Sequence, residues 1–317
     1  MIMLDEKAVD ELLSYGALVD HFETCHQDPM PLLDDLLLEC ENDNGTQNAF
    51  LNRAAWDNNK WLGIKCVTVF PDNITQDQPL PSIQAVFILF DGVTGTPNAI
   101  IDGASLTRWK TACDSALGSH LLSHKGAETL SMLGAGNMAE PLIRAHVSVR
   151  PGIRTVRIWN RSVDKAHALA VRLQGESFEC VVAENLEDAV AGADIVVAAT
   201  MTSAPIIQGE WLQPGMHLDL VGAFTPTMRE ADDEAMRRGE IFVDCRGTTI
   251  DEIGELILPL QSGAISRKDI RADLFDLCAG THPGRSDAAA ITIFKNGGGG
   301  HLDLMAATHI FQQFQKA

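Results

Sequence analysis

Thr129-Leu130-Ser131-Met132-Leu133-Gly134-Ala135-Gly136-Asn137-Met138-Ala139 decides the reading of this chain. A short apolar strand runs into Gly-x-Gly-x-x-Ala, and an amphipathic segment from Glu140 to Val149 follows. Gly134 permits a tight strand-to-helix turn. Gly136 lets the backbone approach a pyrophosphate with no Cβ in the way, and Ala139 lets the helix lie close to the strand. The helix N-terminus would offer free N–H groups to phosphate. Placed between a strand and a helix, with a second strand beyond, the motif predicts a dinucleotide site, with Asn137 and Met138 part of the cradle.

The surrounding rhythm supports that prediction. Beyond residue 125, strand candidates at 129–133, 155–159, 180–183, 195–200, 217–221, 241–244 and 290–294 alternate with helical segments, including 163–173 and 228–238. Such alternation predicts an α/β fold with a doubly wound, mainly parallel sheet of Rossmann type. The N-terminal region reads differently, as α+β. One or two helices are expected over Asp5 to His26 with Gly16 as punctuation, and a polar, turn-rich stretch over 41 to 60. Strands are expected at Trp61 to Phe70 and Ser82 to Asp91, with a hairpin through Asp91-Gly92 and Thr94-Gly95 into Ala99 to Ile101. Thr107 reads as the N-cap of the next helix. Gly297 to Gly300 break the chain before a helical stretch, Leu302 to Gln315.

Composition bounds the function. A formal charge of −19 over 317 residues leaves no basic surplus for nucleic acid or an anionic membrane. Any anionic ligand must therefore meet locally placed cations. Seven cysteines, scattered and never in Cys-x-x-Cys spacing, fit reduced thiols in a cytoplasmic protein better than disulfides or zinc. No apolar run approaches the roughly 20 residues needed to span a bilayer.

Which nicotinamide cofactor is expected follows from the second strand end. An NAD site usually offers an acid about 20 residues past the glycines. Here Asn160-Arg161-Ser162 offers donors and one cation, suited to a 2′-phosphate, so NADPH is favoured, with NADH possible. Thr200, Met201, Thr202 and Ser203 close another parallel strand, at the end where open α/β sheets bind ligands. Lys65 alternates with Trp61, Val67 and Val69 on one strand face. It is either an edge lysine reaching for water or a functional amine. Lys110 and Asp114 stand at i,i+4 on a helix, as do His120 and His124.

Taken together, these pieces resemble the ornithine cyclodeaminase/μ-crystallin family over nearly the whole chain. The resemblance runs through Leu62-Gly63-Ile64-Lys65, Val69-Phe70-Pro71-Asp72-Asn73, Asp91 with Thr94-Gly95-x-Pro97, Asp102-Gly103, and Leu106-Thr107-x-x-Lys110-Thr111-Ala112. It continues through the glycine turn, Asn160-Arg161-Ser162, Ala199-Thr200, Val221-Gly222-Ala223 with Pro226 and Arg229-Glu230, Gly284-Arg285, Phe294-Lys295-Asn296-Gly297 and Asp303. It implies a homodimer. Residues 1–118 and 300–317 would form a substrate-binding and dimerisation domain around an inserted Rossmann domain at 119–299. It implies hydride chemistry at the α-carbon of an amino or imino acid, with Lys65 beside the substrate and Thr111 near it. Val221 and Asp303 are placed with the cofactor.

The departures narrow the reaction. Lys110 stands where the family has Arg, exchanging a bidentate fork for a point charge. The N-terminal family Arg has no match around Pro29-Met30-Pro31-Leu32, and Arg53, where the family often has Met, is the expected replacement as a carboxylate clamp. Phe224, in Gly222-Ala223-Phe224-Thr225-Pro226, takes the position of the cyclodeaminases' acidic residue. A phenyl ring cannot pair with an ammonium or take a proton. The expected activity is therefore NADPH-dependent reduction of a cyclic α-imino acid, Δ1-pyrroline-2-carboxylate or Δ1-piperideine-2-carboxylate. Lys65 would assist at nitrogen, with Lys110 and Arg53 on the carboxylate. Ornithine cyclodeamination, reductive amination to alanine, and non-catalytic ligand binding are the rival readings.

Overall fold

The computed structural model describes residues 1–57 and 59–317. In chain order the first elements are β1 (Ile2–Leu4), α1 (Glu6–Leu12), α2 (Tyr15–Cys25), β2 (Leu32–Glu41), β3 (Gln47–Asp57), β4 (Trp61–Val69), β5 (Ile83–Asp91), β6 (Pro97–Asp102) and α3 (Gly103–Leu122). Then come β7 (Thr129–Leu133), α4 (Ala139–Val149), β8 (Thr155–Trp159), α5 (Val163–Arg172), β9 (Glu179–Val182), α6 (Leu186–Val190), β10 (Ile195–Ala198) and β11 (His217–Leu220). The remainder are α7 (Asp233–Arg238), β12 (Glu240–Val243), α8 (Arg246–Thr249), α9 (Gly254–Ser262), β13 (Ile270–Asp273), α10 (Leu274–Cys278), β14 (Thr292–Lys295) and α11 (Gly300–Lys316). Two compact units result: Met1–Lys110 with Gly299–Ala317, and Thr111–Gly298. The division falls within α3 after Lys110, whereas the sequence placed it after residue 118.

The first unit holds a six-stranded sheet in the order β1-β6-β5-β4-β3-β2, antiparallel except for the β1–β6 pair. Its N-terminal helices follow their caps. Asp5 accepts the Ala8 N–H at 2.9 Å and starts α1, and the break before α2 falls at Leu13-Ser14, leaving Gly16 inside the helix. The stretch read as turn-rich contains a long strand, β3, paired residue for residue with β2 and β4. α3 begins a turn earlier than expected. Asp102, not Thr107, caps it, accepting the Ser105 N–H at 2.7 Å, while the Thr107 hydroxyl bonds back to Gly103 O. One sheet face packs on α11. The other presents Leu32, Leu36, Leu38, Phe50 and Trp56, all exposed.

The second unit holds an eight-stranded sheet, β13-β12-β14-β11-β10-β7-β8-β9, parallel throughout. β10, β11 and β14 are buried at every position, as a sheet covered on both faces requires. From β7 the chain winds outward to β8 and β9, then returns to β10 on the other side. The switch point therefore lies between β7 and β10, where such sheets bind their ligands. The helix expected at 228–238 starts only at Asp233, because Asp232 caps it through the Ala235 N–H.

Candidate active site

At the switch point the glycine turn has the predicted form. Gly134 has φ +109°, and a Cβ there would meet Ala199 O at 2.7 Å. Gly136 differs: a Cβ would find nothing within 4 Å. The backbone there is open to close approach, as a pyrophosphate cradle requires. Ala139, 1% exposed, packs the start of α4 against the sheet. Asn137 is exposed, and Met138 is the N-cap of α4. The turn thus fits a dinucleotide pyrophosphate.

Of the trio at the end of β8, Asn160 has an internal task. Its Oδ1 accepts the Ala135 N–H at 3.0 Å and its Nδ2 donates to Ser162 O at 2.9 Å, so it braces the glycine turn. Arg161 and Ser162 are exposed, and among the described residues Arg161 forms no ion pair. Across the switch point, Met201 is 80% exposed. The Thr202 hydroxyl bonds to Ala204 O, and Val221 N–H to Ala198 O. Phe224 is exposed in the turn after β11. Thr111 falls in this unit, its carbonyl accepting from Asn296 Nδ2 at 3.0 Å.

The first unit gathers the cations. Asp35, Arg53, Lys65 and Phe87 are direct cross-strand partners on β2, β3, β4 and β5, which puts them in one row on one face. Arg53 Nε lies 2.9 Å from Asp35 Oδ2. Lys65 is 5% exposed and Asp303, from α11, is fully buried; Lys65 Nζ stands 2.8 Å from Asp303 Oδ1 and 2.7 Å from Oδ2. Asp303, grouped with the cofactor from sequence, is thus the counter-ion of Lys65. Lys110, also 5% exposed, is near enough to repel the Lys65 ammonium, and among the described residues it makes no ion pair. Its stretch of α3 is tied down by Arg108 to Glu6 and Asp10 and by Trp109 Nε1 to Asp10 at 2.6 Å.

Electrostatics follow from burial. Desolvation lowers the Lys65 pKa to about 8, with Asp303 raising it and Lys110 and Arg53 lowering it further. His301, two residues before Asp303, is fully buried beside the His26 ring, 6.0 Å between centroids. Burial first, then His26, Lys110 and Arg53, hold its pKa well below the usual imidazole value. Counting Lys110 and Asp303 with the row, three cations (Arg53, Lys65 and Lys110) stand against two carboxylates (Asp35 and Asp303), a balance that favours one added anion. Sequence reasoning passed over His301. Its signal was a histidine in the first turn of α11, two residues before Asp303. Also missed were the buried acids Asp219, Asp244 and Glu255 of the second unit. His120 and His124 serve structure: His124 Nε2 bonds to Ala288 O at 2.8 Å and His120 Nδ1 faces Arg150.

Comparison with known proteins gives the family. Residues 48–317 match the ornithine cyclodeaminase/mu-crystallin family. The chain belongs to that family. It is 40% identical over 298 residues to the Δ1-pyrroline-2-carboxylate reductase of Paracoccus denitrificans, covering 94% of this chain and 92% of that one. It is 35% identical over 256 residues to the ketimine reductase mu-crystallin of Mus musculus, covering 80% and 76%. The structure of Thermococcus litoralis Δ1-pyrroline-2-carboxylate reductase with NADH and L-proline superposes with a TM-score of 0.90 at 25% identity, over 100% of this chain and 98% of that one.

Proposed function

We propose that this protein reduces a cyclic α-imino acid, Δ1-pyrroline-2-carboxylate or Δ1-piperideine-2-carboxylate, to the corresponding L-amino acid with a nicotinamide dinucleotide. The observation that carries this reading is the buried Lys65–Asp303 pair, in one row with Arg53 and close to Lys110. When bound in the Gly134–Ala139 turn, the dinucleotide supplies hydride to the ring carbon. The protein's own residues do the rest. Lys110 and Arg53 hold the carboxylate, and the positive charge that Lys110 adds beside the paired Arg53 and Lys65 suits a single anion. Lys65, protonated, gives its proton to the ring nitrogen as C=N becomes CH–NH. Asp303 keeps that proton on Lys65 against burial and the neighbouring cations.

Phe224 turns the reading away from ornithine, because the turn after β11 offers no acid for a second amine. The relatives named as pyrroline-2-carboxylate and ketimine reductases support the same choice. Arg161, exposed and unpaired among the described residues, favours NADPH over NADH. The apolar face of the six-stranded sheet, with Leu32 74% and Leu36 54% exposed, supports a homodimer that covers it. Seven free thiols fit the cytoplasm. Among the described residues no helix is long and apolar enough to cross a membrane.

The assay compares NADPH consumption with each imine and ammonia release from ornithine. Turnover of at least one imine without ammonia from ornithine is expected. Ammonia from ornithine, or a protein that binds NADPH and turns over neither imine, would reject the proposal.

A further inference from the structure

Buried charge in the second unit gathers at the carboxyl ends of β10, β11 and β14, and Glu230 is its centre. Glu230 is fully buried, yet its carboxylate accepts three hydrogen bonds from two separate turns. Oε1 takes the Thr200 N–H and the Thr200 hydroxyl, each at 2.7 Å, and Oε2 takes the Gly222 N–H at 2.6 Å. Thr200 follows β10 and Gly222 follows β11. A Cβ on Gly222 would collide with Thr200 O and lie 2.5 Å from Glu230 Oε1, so the two turns and the carboxylate close on one another without slack.

Glu230 is itself fixed. Glu255 accepts the Glu230 N–H at 2.7 Å and the Ala231 N–H at 3.0 Å. The Glu230 carbonyl takes the N–H groups of Ile206 and Ile207. Lys295, fully buried and donating to Leu220 O at 2.8 Å, supplies positive charge to both carboxylates. Two backbone N–H groups and the Thr200 hydroxyl face the Glu230 carboxylate and favour its ionised form, against burial, which raises its pKa.

We infer that Glu230 is a positioning residue for the nicotinamide half of the dinucleotide, holding the turns after β10 and β11 in one fixed arrangement. The inference rests on the dinucleotide reading above. In a doubly wound sheet each side of the switch point serves one mononucleotide. The β7-β8-β9 side carries the glycine turn and Arg161, and the β10-β11-β14 side carries the Glu230 clamp. Loosening the clamp therefore affects one half of the ligand and spares the other.

The test uses the full chain and two ligands: NADPH, and adenosine 2′,5′-bisphosphate, which carries only the adenosine half. Glu230→Gln sets an amide NH2 against one of the N–H donors. Its NADPH Kd should rise about tenfold, the effect of losing one charge-assisted hydrogen bond, while its bisphosphate Kd stays at the wild-type value. Thr200→Val removes one donor and should raise the NADPH Kd by a smaller factor, and the double variant should be no weaker than Glu230→Gln alone. An unchanged NADPH Kd in Glu230→Gln, or equal weakening of both ligands, overturns the inference while wild-type binding keeps the dinucleotide reading intact. If Glu230→Gln does not fold, Thr200→Val decides by the same comparison. Wild-type protein that binds neither NADPH nor NADH would overturn the dinucleotide reading and the inference with it.

Discussion

Lys65 cannot hydrate its own charge, so its neighbours decide when it holds a proton. With its pKa lowered to about 8 by burial, the lysine is a proton donor below that pH and loses the proton as pH rises through it. We predict a kcat/KM for the imine that is level towards neutral pH and falls above about 8. Asp303→Asn keeps the shape of the partner but removes its attraction, leaving burial, Lys110 and Arg53 to act alone. The Lys65 pKa then falls further, and the alkaline limb moves to lower pH. A limb that stays in place would show that Asp303 does not hold this proton. At the other ligand, Arg161→Glu should raise the KM for NADPH much more than that for NADH. Equal changes in the two would remove Arg161 from the 2′-phosphate.

At the scale of elements, two glycines that look alike in the sequence behave oppositely. Gly136 faces open space, and Gly222 is enclosed by Thr200 and Glu230. We expect Gly136→Ala to leave the melting temperature of the ligand-free protein within a degree or so, since nothing in the fold is displaced, yet to weaken NADPH binding strongly. Gly222→Ala should lower the melting temperature outright. Thermal scans with and without NADPH separate the two, and a destabilised Gly136→Ala protein would contradict the open space at Gly136. This contrast also marks what could be read in the sequence. The strand, turn and helix at Thr129–Val149 were legible because each position there obeys a local rule. β2 and β3 were not: Leu-Leu-Asp-Asp-Leu-Leu-Leu breaks the alternation of a half-buried strand, and its exposed leucines find no partner within the chain. The bracing contacts of Asn160 were not legible because its partners are backbone groups of a turn. Lys65 and Asp303 are 238 positions apart, and Glu230 is 30 from Thr200. Pairings between such distant positions leave no periodic trace.

For the whole molecule, the uncovered face of the six-stranded sheet predicts assembly. Leu36 and Leu38 are 54% and 53% exposed on the face opposite Lys65, so charging them should cost the isolated subunit little. Leu36→Glu with Leu38→Glu should turn a dimer into a monomer by light scattering, with the circular dichroism unchanged. A monomeric wild type, or a dimer that survives both substitutions, would rule this face out.

The first unit is written in two pieces, with residues 111–298 between them. On the ribosome, β3 and β4, bearing Arg53 and Lys65, emerge before α11, the helix that packs on them. Asp303 follows Lys65 by 238 residues, an interval on the order of tens of seconds at cellular rates of elongation. Until then Lys65 lacks its counter-ion, and closing over an uncompensated ammonium is strongly unfavourable. The nascent chain is therefore kept from sealing its reactive face before translation reaches α11, and the amine that is to donate a proton waits for a counter-charge encoded 238 residues later.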